Sequence, residues 1–355
     1  MSAPTHGKGY GIGDTKKYTD FTVQEYKLKT AGPHDVTLSI ECCGVCASDV
    51  HTITGGWGPM AADWICPGHE IVGKVTHVGD SVTEFKVGQR VGVGAQVFAC
   101  LKCERCKSDN EQYCAEIIDT YNSPYADGVM SQGGYSTTIR AHDRWVFAIP
   151  DALKSEDAAP MLCAGLTVYS PLVRNGTGPG KTIGIVGIGG LGHFAILFAK
   201  ALGAKVIVFS HSANKKDDCL KILGADEFVI SGEEGFAKPY VDKIDYMIST
   251  ANAAKLPLEE FLTTLKVDGK FTSVGLPEEP WDGLKPGMFN GNASCLSSSH
   301  IGSKVEANAM LKLAAEKGIK PILDQILPMS QAGKAIEDVK NNKVRYRFVL
   351  KQDLH

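Results

Sequence analysis

The pattern of apolar and polar positions predicts two kinds of structure along the chain. Between about residues 20 and 150, short β-rich runs are separated by glycine and proline, as expected for strands joined by tight turns. We expect these runs to form a partly open β-barrel. The runs are DVTLSI, IVGKVTHVG, RVGVGAQVF, GGYSTTIRA and RWVFAIP.

From about residue 156 to 302 the pattern changes to strands that alternate with helices, which predicts a parallel, doubly wound α/β sheet. The predicted strands are TIGIVG, KVIVFS, EFVIS, IDYMIST, KFTSVG and SCLSSSHIG, and the predicted helices are HFAILFAKALG, NKKDDCLKILG and PLEEFLTTLK. The last stretch predicts two helices, KVEANAMLKLAAEKG and MSQAGKAIEDVK, and a strand, VRYRFVLK. We expect this stretch to return to the first domain, so that residues 1–155 and 303–355 form one domain and residues 156–302 the other.

Length and charge narrow the range of partners. A chain of 355 residues exceeds what one hydrophobic core usually organises, and 39 glycines indicate many tight turns or a cofactor lying against the main chain. The net charge of -3, with acidic and basic residues mixed, argues against nucleic acid or an anionic membrane as a partner.

The apolar stretch from Thr182 to Ala199 contains five glycines and His193, so we expect strand, turn and helix there and no transmembrane span. The N-terminus resembles neither a signal nor a transit peptide, which predicts a cytoplasmic protein.

A glycine-rich turn predicts a dinucleotide site. GIGGLG lies between the strand TIGIV and a helix that begins near Leu191. In this context Gly187 permits the tight turn, Gly189 lets the backbone approach a pyrophosphate, and Gly192 lets the helix pack on the strand. The backbone amides around Gly190 and Leu191, at the helix N-terminus, are free to bind the phosphates.

The end of the second strand of this domain predicts NADP(H) as the cofactor. NAD sites usually carry a carboxylate there, which binds the ribose diol. Here the strand ends with Ser210, followed by His211, Lys215 and Lys216. The two lysines alone are also typical of the solvated start of a helix. The missing carboxylate, which would repel a 2′-phosphate, favours NADP(H).

Four of the eleven cysteines predict a structural zinc site. Cys100, Cys103, Cys106 and Cys114 place four thiols within fifteen residues, close enough to surround one tetrahedral ion. A set of four sulfur ligands leaves no open position, so the site is expected to hold the lobe 96–116 together. An iron-sulfur cluster also uses four cysteines, but nothing in the sequence indicates electron-transfer partners. Five further cysteines match no ligand pattern and are predicted to be buried: Cys42, Cys43, Cys66, Cys219 and Cys295.

A second set of polar residues has the composition of a catalytic zinc site. One imidazole and two thiolates from separated segments are typical, because three protein ligands leave a fourth position for the substrate oxygen. The candidate residues occur in CGVCASDVH, PGHE and MLCAGL, and they are Cys46, Ser48, Asp49, His51, His69, Glu70 and Cys163.

These motifs together resemble a known family. GHEIVGKVTHVGDSV, residues 68–82, resembles the zinc signature of medium-chain alcohol dehydrogenases, and the other motifs occur in the family's order over essentially the whole chain. GVGAQVFACLKCERC, AGLTVYSPLVRNG and the FS ending of the second strand resemble the cinnamyl-alcohol-dehydrogenase branch, including its fungal NADP-dependent members, although His211 stands where those members tend to carry arginine. The resemblance implies a GroES-like β-barrel catalytic domain and a Rossmann cofactor domain.

The resemblance also implies roles for individual residues. Cys46, His69 and Cys163 would hold the catalytic zinc, so that with the lobe there are two zinc ions per chain. Ser48 and His51 would form a proton relay. Of the remaining residues, Asp49 would orient His69, Glu70 would lie behind the zinc and assist ligand exchange, Thr167, Thr250 and Gly275 would contact the cofactor, and Trp57 would line the substrate pocket.

The implied activity is NADP(H)-dependent interconversion of aromatic or medium-chain aliphatic aldehydes and primary alcohols. A homodimer is also expected, in which the run ASCLSSSHIG pairs as an edge strand with its copy. Two alternatives remain: a biosynthetic reductase of the same scaffold that acts on conjugated alkenes or iminium ions, and a non-catalytic sensor that binds zinc and dinucleotide. The presence of both Ser48 and His51 argues against the first, and the presence of both His69 and Cys163 argues against the second.

Overall fold

The structure, a computed structural model, describes residues 3–281 and 283–354. The chain divides into two compact units: unit 1 contains the residues up to Leu166 and from Gly302 onward, and unit 2 spans Thr167–Ile301. The predicted domain break after residue 155 therefore lies before the break between the units, and residues 1, 2, 282 and 355 of the predicted domains lie outside the described residues. With the break at Leu166, Cys163 belongs to the same unit as Cys46 and His69.

The N-terminal segment of unit 1 consists mainly of strands. These are β1 (His6–Gly11), β2 (Thr22–Lys27), β3 (Asp35–Gly44), β4 (Ile71–Val78), β5 (Arg90–Val93), β6 (Gln96–Phe98), β7 (Ile118–Asp119), β8 (Thr138–His142) and β9 (Val146–Ala148). The helices of the segment are α1 (Ala47–Ile53), α2 (Glu104–Lys107), α3 (Ser155–Ala158) and α4 (Ala164–Arg174), the last of which continues into unit 2. The sequence patterns did not predict the hairpin of β1 and β2, nor α1 and α4.

Unit 2 is built around a six-stranded parallel sheet. Its strands are β10 (Thr182–Val186), β11 (Lys205–Ser210), β12 (Glu227–Ile230), β13 (Ile244–Ser249), β14 (Leu265–Ser273) and β15 (Cys295–Ser298), and its helices are α5 (Gly192–Ala201) and α6 (Leu258–Thr263). The strand order β12-β11-β10-β13-β14-β15 confirms the predicted doubly wound sheet. The central strands are apolar on both faces because both faces are covered.

Two details of unit 2 differ from the sequence prediction. NKKDDCLKILG forms a short 3₁₀ turn (Ala213–Lys215) and a π-helical turn (Asp218–Ile222) in place of a regular helix, and Leu223 donates a hydrogen bond to the carbonyl of Asp218 five residues back. The prediction that Cys295 is buried is wrong: the residue is exposed because β15 is the edge strand of the sheet.

The C-terminal segment returns to unit 1. It contains α7 (Lys304–Lys317), β16 (Leu323–Pro328), α8 (Ala332–Lys340) and β17 (Arg347–Lys351). Ser303 and Glu306 exchange side-chain to backbone hydrogen bonds at the start of α7, and Gly318 ends the helix with φ 64°. β17 pairs antiparallel with β3, which completes a sheet of order β16-β17-β3-β4-β5-β9 with β8 on β3.

Short 3₁₀ segments connect many of these elements: Thr15–Lys17, Glu111–Tyr113, Asp143–Trp145, Ala159–Leu162, Lys238–Tyr240, Pro286–Phe289 and Met329–Gln331. Each unit has its own apolar core, which in unit 1 joins β3, β4 and β5 to α8 and in unit 2 surrounds Phe209, Phe261 and Phe271. Within the described residues, no helix is long and apolar enough to cross a membrane.

Candidate active site and metal centres

The start of α1 brings a buried carboxylate to the first candidate site. Asp49 is fully buried, and its oxygens accept hydrogen bonds from the backbone N–H groups of Cys46 (3.0 Å) and Gly68 (3.1 Å) and from the hydroxyl of Tyr135 (3.1 Å). The Nδ1 atom of His69 also lies 2.9 Å from Oδ1. Asp49 therefore fixes the ring of His69 and directs its Nε2 atom away from the carboxylate.

Three buried side chains from separate segments meet around that Nε2 atom. His69 Nε2 lies 3.1 Å from Cys163 Sγ, and the ligand atoms of Cys46, His69, Glu70 and Cys163 all lie within 4.8 Å of one another. A hydrogen bond from Cys163, with contributions from His69 and Arg347, lowers the pKa of Cys46 well below its ordinary value against the effect of burial. This environment therefore favours the thiolate form of Cys46, which is the form that acts as a nucleophile or binds a metal.

Glu70 lies in the same cluster, but its carboxylate pairs with an arginine. Its carboxylate forms an ion pair with the guanidinium of Arg347, and both side chains are almost wholly buried. Burial raises the pKa of Glu70 to about 7, and Arg347 opposes that shift. Gly44 leaves room for the carboxylate, because a Cβ atom there would lie 2.0 Å from Glu70 Oε2.

Ser48 and His51 lie on α1 beside this cluster. They are three residues apart on the helix and therefore share a face. Ser48 Oγ lies 3.6 Å from Cys46 Sγ, and both Ser48 and His51 are partly exposed. Trp57, which was expected to line a substrate pocket, stacks on the imidazole of His51 with ring centroids 4.8 Å apart.

The four cysteines of the lobe form a second cluster. Four of their Sγ···Sγ distances are 3.4 Å (Cys100 to Cys114), 3.6 Å (Cys103 to Cys106), 3.9 Å (Cys103 to Cys114) and 4.0 Å (Cys100 to Cys106). A tetrahedral zinc with Zn–S bonds of about 2.3 Å requires sulfur atoms about 3.8 Å apart, so the spacing fits one ion. Backbone N–H groups, chiefly that of Lys102, lower the pKa of Cys100 to about 7.

A buried carboxylate anchors this lobe to the rest of unit 1. Glu111 is fully buried and accepts two hydrogen bonds from the guanidinium of Arg144, each 3.0 Å long, and one of 2.8 Å from the backbone N–H of Lys304 at the start of α7. Arg144 also pairs with Asp109 at 2.6 Å. The sequence interpretation did not include Glu111, although its place between Cys106 and Cys114 is visible in the chain.

The glycine-rich turn of unit 2 has the geometry that its sequence predicts. It connects β10 to α5 and contains Gly187, Gly189, Gly190, Leu191 and Gly192. Gly187 has φ 84°, which glycine adopts without strain. A Cβ atom at Gly192 would lie 2.1 Å from the carbonyl oxygen of Gly187, so only glycine permits this close packing of helix and turn.

Several predicted cofactor residues lie near this turn. Thr250 follows β13 and donates a hydrogen bond of 2.9 Å to the carbonyl of Gly187. Gly275 follows β14, where a Cβ atom would lie 2.1 Å from the carbonyl oxygen of Ala251. Thr167, by contrast, lies in α4, where its buried Oγ1 has no hydrogen-bond partner within the described part of the chain.

The residues predicted to select the cofactor lie after β11. Ser210 ends the strand, and His211 is exposed. Lys215 reaches the glycine-rich turn, where its Nζ donates a 2.5 Å hydrogen bond to the carbonyl of Ile188. Burial lowers the pKa of Lys215. Ser210 and Lys215 thus put hydroxyl and ammonium donors at this edge of the sheet, as a phosphate site requires.

Two residues that contact Glu70 and Asp49 in this first site were absent from the sequence interpretation. Arg347 lies 277 positions from Glu70 and Tyr135 lies 86 positions from Asp49, so no local motif links either pair. The available signal for Arg347 was its place between Tyr346 and Phe348 in the predicted strand VRYRFVLK, because a charge in a buried strand needs a buried partner.

Two sequence families match the chain. The family described as "Alcohol dehydrogenase GroES-like domain" matches residues 32–151, and that described as "Zinc-binding dehydrogenase" matches residues 190–316. These matches agree with the predicted GroES-like and Rossmann domains.

Relatives along the whole chain are also found. "NADP-dependent alcohol dehydrogenase 6" of Saccharomyces cerevisiae is 44% identical over 99% of this chain and 98% of its own length. A probable cinnamyl alcohol dehydrogenase of Eucalyptus globulus is 42% identical over 92% of this chain and 90% of its own. Among solved structures, a cinnamyl alcohol dehydrogenase of Sorghum bicolor has a TM-score of 0.92 at 36% identity, covering 98% of this chain and 97% of its own. The Helicobacter pylori enzyme described as CAD complexed with NADP(H) has a TM-score of 0.88 at 31% identity, covering 98% of both chains.

Proposed function

The chain belongs to the zinc-dependent medium-chain alcohol dehydrogenases, in their cinnamyl-alcohol-dehydrogenase branch, and we propose that it interconverts aldehydes and primary alcohols with NADP(H). Its substrates are aromatic or medium-length aliphatic aldehydes. The proposal rests chiefly on one observation: the side chains of Cys46, His69 and Cys163 are buried and lie close together beside the Asp49 carboxylate.

The donor set fits a catalytic zinc. Two thiolates and one neutral imidazole from three segments are a common three-ligand set, and Asp49 holds the imidazole by its other nitrogen. When bound, zinc supplies a Lewis acid for the carbonyl oxygen and NADPH supplies the hydride. The four thiols of the lobe would hold a second, structural zinc.

The remaining side chains orient the site and move a proton. Ser48 gives a proton to the substrate oxygen during aldehyde reduction and takes it back during alcohol oxidation. His51, on the same face of α1 and partly exposed, exchanges that proton with solvent. Glu70, held by Arg347, provides a carboxylate behind the ligand set that assists ligand exchange.

NADP(H) is the cofactor, since Ser210 donates a hydrogen bond where a carboxylate would repel the 2′-phosphate. Lys215 adds a positive charge, and His211 contributes when protonated. Gly187, Gly189, Gly190, Leu191 and Gly192 bind the pyrophosphate through the turn and the start of α5, and Thr167, Thr250 and Gly275 line the rest of the site.

The cofactor assignment is tested by titrating NADPH and NADH into wild-type and variant proteins. Lys215→Ala should weaken NADPH binding about ten- to a hundredfold while barely changing NADH binding, because a charge-assisted hydrogen bond is worth roughly 1.5–3 kcal/mol. Ser210→Asp should invert the preference. Equal affinity of the wild type for both cofactors would contradict the assignment.

The activity is tested with a panel of aldehydes and NADPH, read as loss of absorbance from the reduced cofactor. A panel of conjugated alkenes and iminium compounds serves as the comparison. Reduction of alkenes but not of carbonyls would favour the biosynthetic reductase, and binding of NADPH with no turnover on either panel would favour the sensor. The relatives named as alcohol dehydrogenases favour carbonyl reduction over both.

The oligomeric state and location are part of the same proposal. β15 is the edge of its sheet, and its exposed backbone is suited to pair with a second copy in a homodimer. Sedimentation analysis of the wild type and of Leu296→Pro tests this pairing, and a monomeric wild type would refute it. A reducing compartment such as the cytoplasm suits a protein whose proposed zinc ligands include six cysteine thiolates, and imaging of a tagged full-length chain tests that location.

A further inference from the structure

The segment after α1 folds back over the last turn of that helix. The backbone N–H of Gly56 donates to the carbonyl of His51 (2.9 Å), and that of Gly58 donates to the carbonyl of Gly55 (3.1 Å). Gly55 and Gly58 have φ values of 76° and 121°, in the region that favours glycine. Because of this turn, the side chain of Trp57 lies against the last turn of α1.

Trp57 lies face to face with the imidazole of His51. The ring centroids are 4.8 Å apart and the planes differ by 19°. Aromatic stacking contributes beyond the burial of apolar area, and the indole face also attracts a cation. Trp57 is nevertheless 43% exposed, so burial in the core does not explain why a large aromatic side chain lies there.

We propose that Trp57 is a positioning residue for His51, which holds the imidazole plane so that the ring can exchange a proton with Ser48. The proposal rests on the proton relay proposed above and adds a residue that itself carries no proton. His51 lies in the last turn of a seven-residue helix and is partly exposed, and the indole of Trp57 lies against one face of its ring. Stacking against Trp57 restricts the ring to one plane.

This role differs measurably from that of a substrate-pocket wall. A wall contacts the substrate, so its loss raises KM for aromatic aldehydes. A positioning residue acts on the relay, so its loss lowers kcat and leaves KM for substrate and cofactor unchanged.

The test uses the zinc-loaded full-length protein and four variants. In wild-type protein labelled at its histidine rings, the indole ring current should displace the His51 signals, which are assigned from their absence in His51→Gln. Trp57→Leu should abolish the displacement, and Trp57→Phe should retain part of it. Trp64→Phe is the matched control, because Trp64 lies in the same connecting segment but contacts Tyr26. It should leave the His51 signals unchanged.

The same variants are then assayed for alcohol oxidation with NADP⁺. Trp57→Leu should lower kcat by about two- to tenfold, the size expected from one aromatic stack, with KM unchanged. Trp57→Phe should recover part of the loss, and Trp64→Phe should match the wild type.

Three results would overturn the proposal. His51 signals that do not change in Trp57→Leu would show that the rings are not stacked in solution. Changed signals with unchanged kcat would remove the positioning role, and a raised KM for aromatic aldehydes alone would assign Trp57 to the substrate pocket. The His51→Gln variant distinguishes failure of the proposed relay from failure of the positioning role. If His51→Gln oxidises alcohols at the wild-type rate, the relay itself is wrong. If His51→Gln is slow and Trp57→Leu is not, only the positioning role is wrong.

Discussion

The two cysteine clusters of unit 1 are built in opposite ways. The lobe takes all four thiols from one stretch of chain, Cys100 to Cys114, and two of these cysteines are partly exposed. The proposed catalytic cluster takes Cys46, His69 and Cys163 from three segments, and all are buried. The lobe is a local loop closed on itself, whereas the catalytic cluster exists only where the folded unit brings its parts together.

This difference predicts which property each centre controls. Four sulfur ligands would leave a metal no open position, so we expect the lobe to contribute stability and no chemistry. The catalytic cluster is held by the hydrogen bonds of Asp49 and by the surrounding sheet, so unit 1 should keep its fold when one ligand is lost. Loss of a cysteine ligand should therefore unfold the lobe, whereas loss of a ligand from the other cluster should inactivate the protein and leave it folded.

The largest expected contrast is between one cysteine variant in each cluster. Cys163→Ser should remain folded and lose about a thousandfold or more in aldehyde reduction, because a Lewis acid contributes several kcal/mol to the transition state. Cys103→Ser should lower the melting temperature and promote aggregation. Turnover, zinc content and thermal melting are measured on both proteins. Normal aldehyde reduction by Cys163→Ser would disprove the catalytic assignment.

The anchor of the lobe gives the next largest effect. Glu111→Gln should destabilise unit 1 by about 1.5–3 kcal/mol, because the fully buried side chain loses its charge-assisted hydrogen bonds to Arg144, which keeps its pairing with the more exposed Asp109. The control is Glu104→Gln, since Glu104 lies on the same lobe with a 95% exposed side chain and a long contact to Lys107. It should cost about 0–0.5 kcal/mol. Equal denaturant midpoints for the two variants would show that Glu111 is not the anchor.

The carboxylate behind His69 provides a smaller, more specific test. Asp49→Asn should reduce zinc affinity or activity about ten- to a hundredfold, as expected when the group that orients a ligating histidine is changed. Tyr135→Phe removes one hydrogen bond to Asp49 and keeps the charge of the carboxylate, so its effect should be smaller. The order is checked by zinc competition and by turnover, and a larger loss in Tyr135→Phe would contradict it.

The smallest expected effect needs no mutation and compares how fast a chelator removes zinc from the two clusters. Each chain should bind two zinc ions, and a chelator should remove the catalytic ion faster, because that site has an open position and the four-thiolate site has none. Activity should then fall before the melting temperature does. Metal analysis that finds one zinc or none, or simultaneous loss of activity and stability, would argue against two centres of different kind.

The sequence by itself determined the features that depend on local spacing. The spacing of Cys100, Cys103, Cys106 and Cys114 indicated one tetrahedral site, and the strand, glycine turn and helix around Gly187 indicated the dinucleotide fold. The alternation of strands and helices predicted the doubly wound sheet, which the structure confirms. These features are local because hydrogen-bond periodicity, turn geometry and metal-ligand spacing act over a few residues.

Only the tertiary structure decided the contacts that join distant segments. Arg347 meets Glu70 because β17 pairs with β3, and Glu111 meets Lys304 because the chain returns to unit 1 after residue 301. The stack of Trp57 on His51 depends on a turn whose exposed tryptophan carries no periodic signal. In each case the partner of a charge or ring is chosen by how the strands and turns pack, and packing couples residues without regard to their separation along the chain.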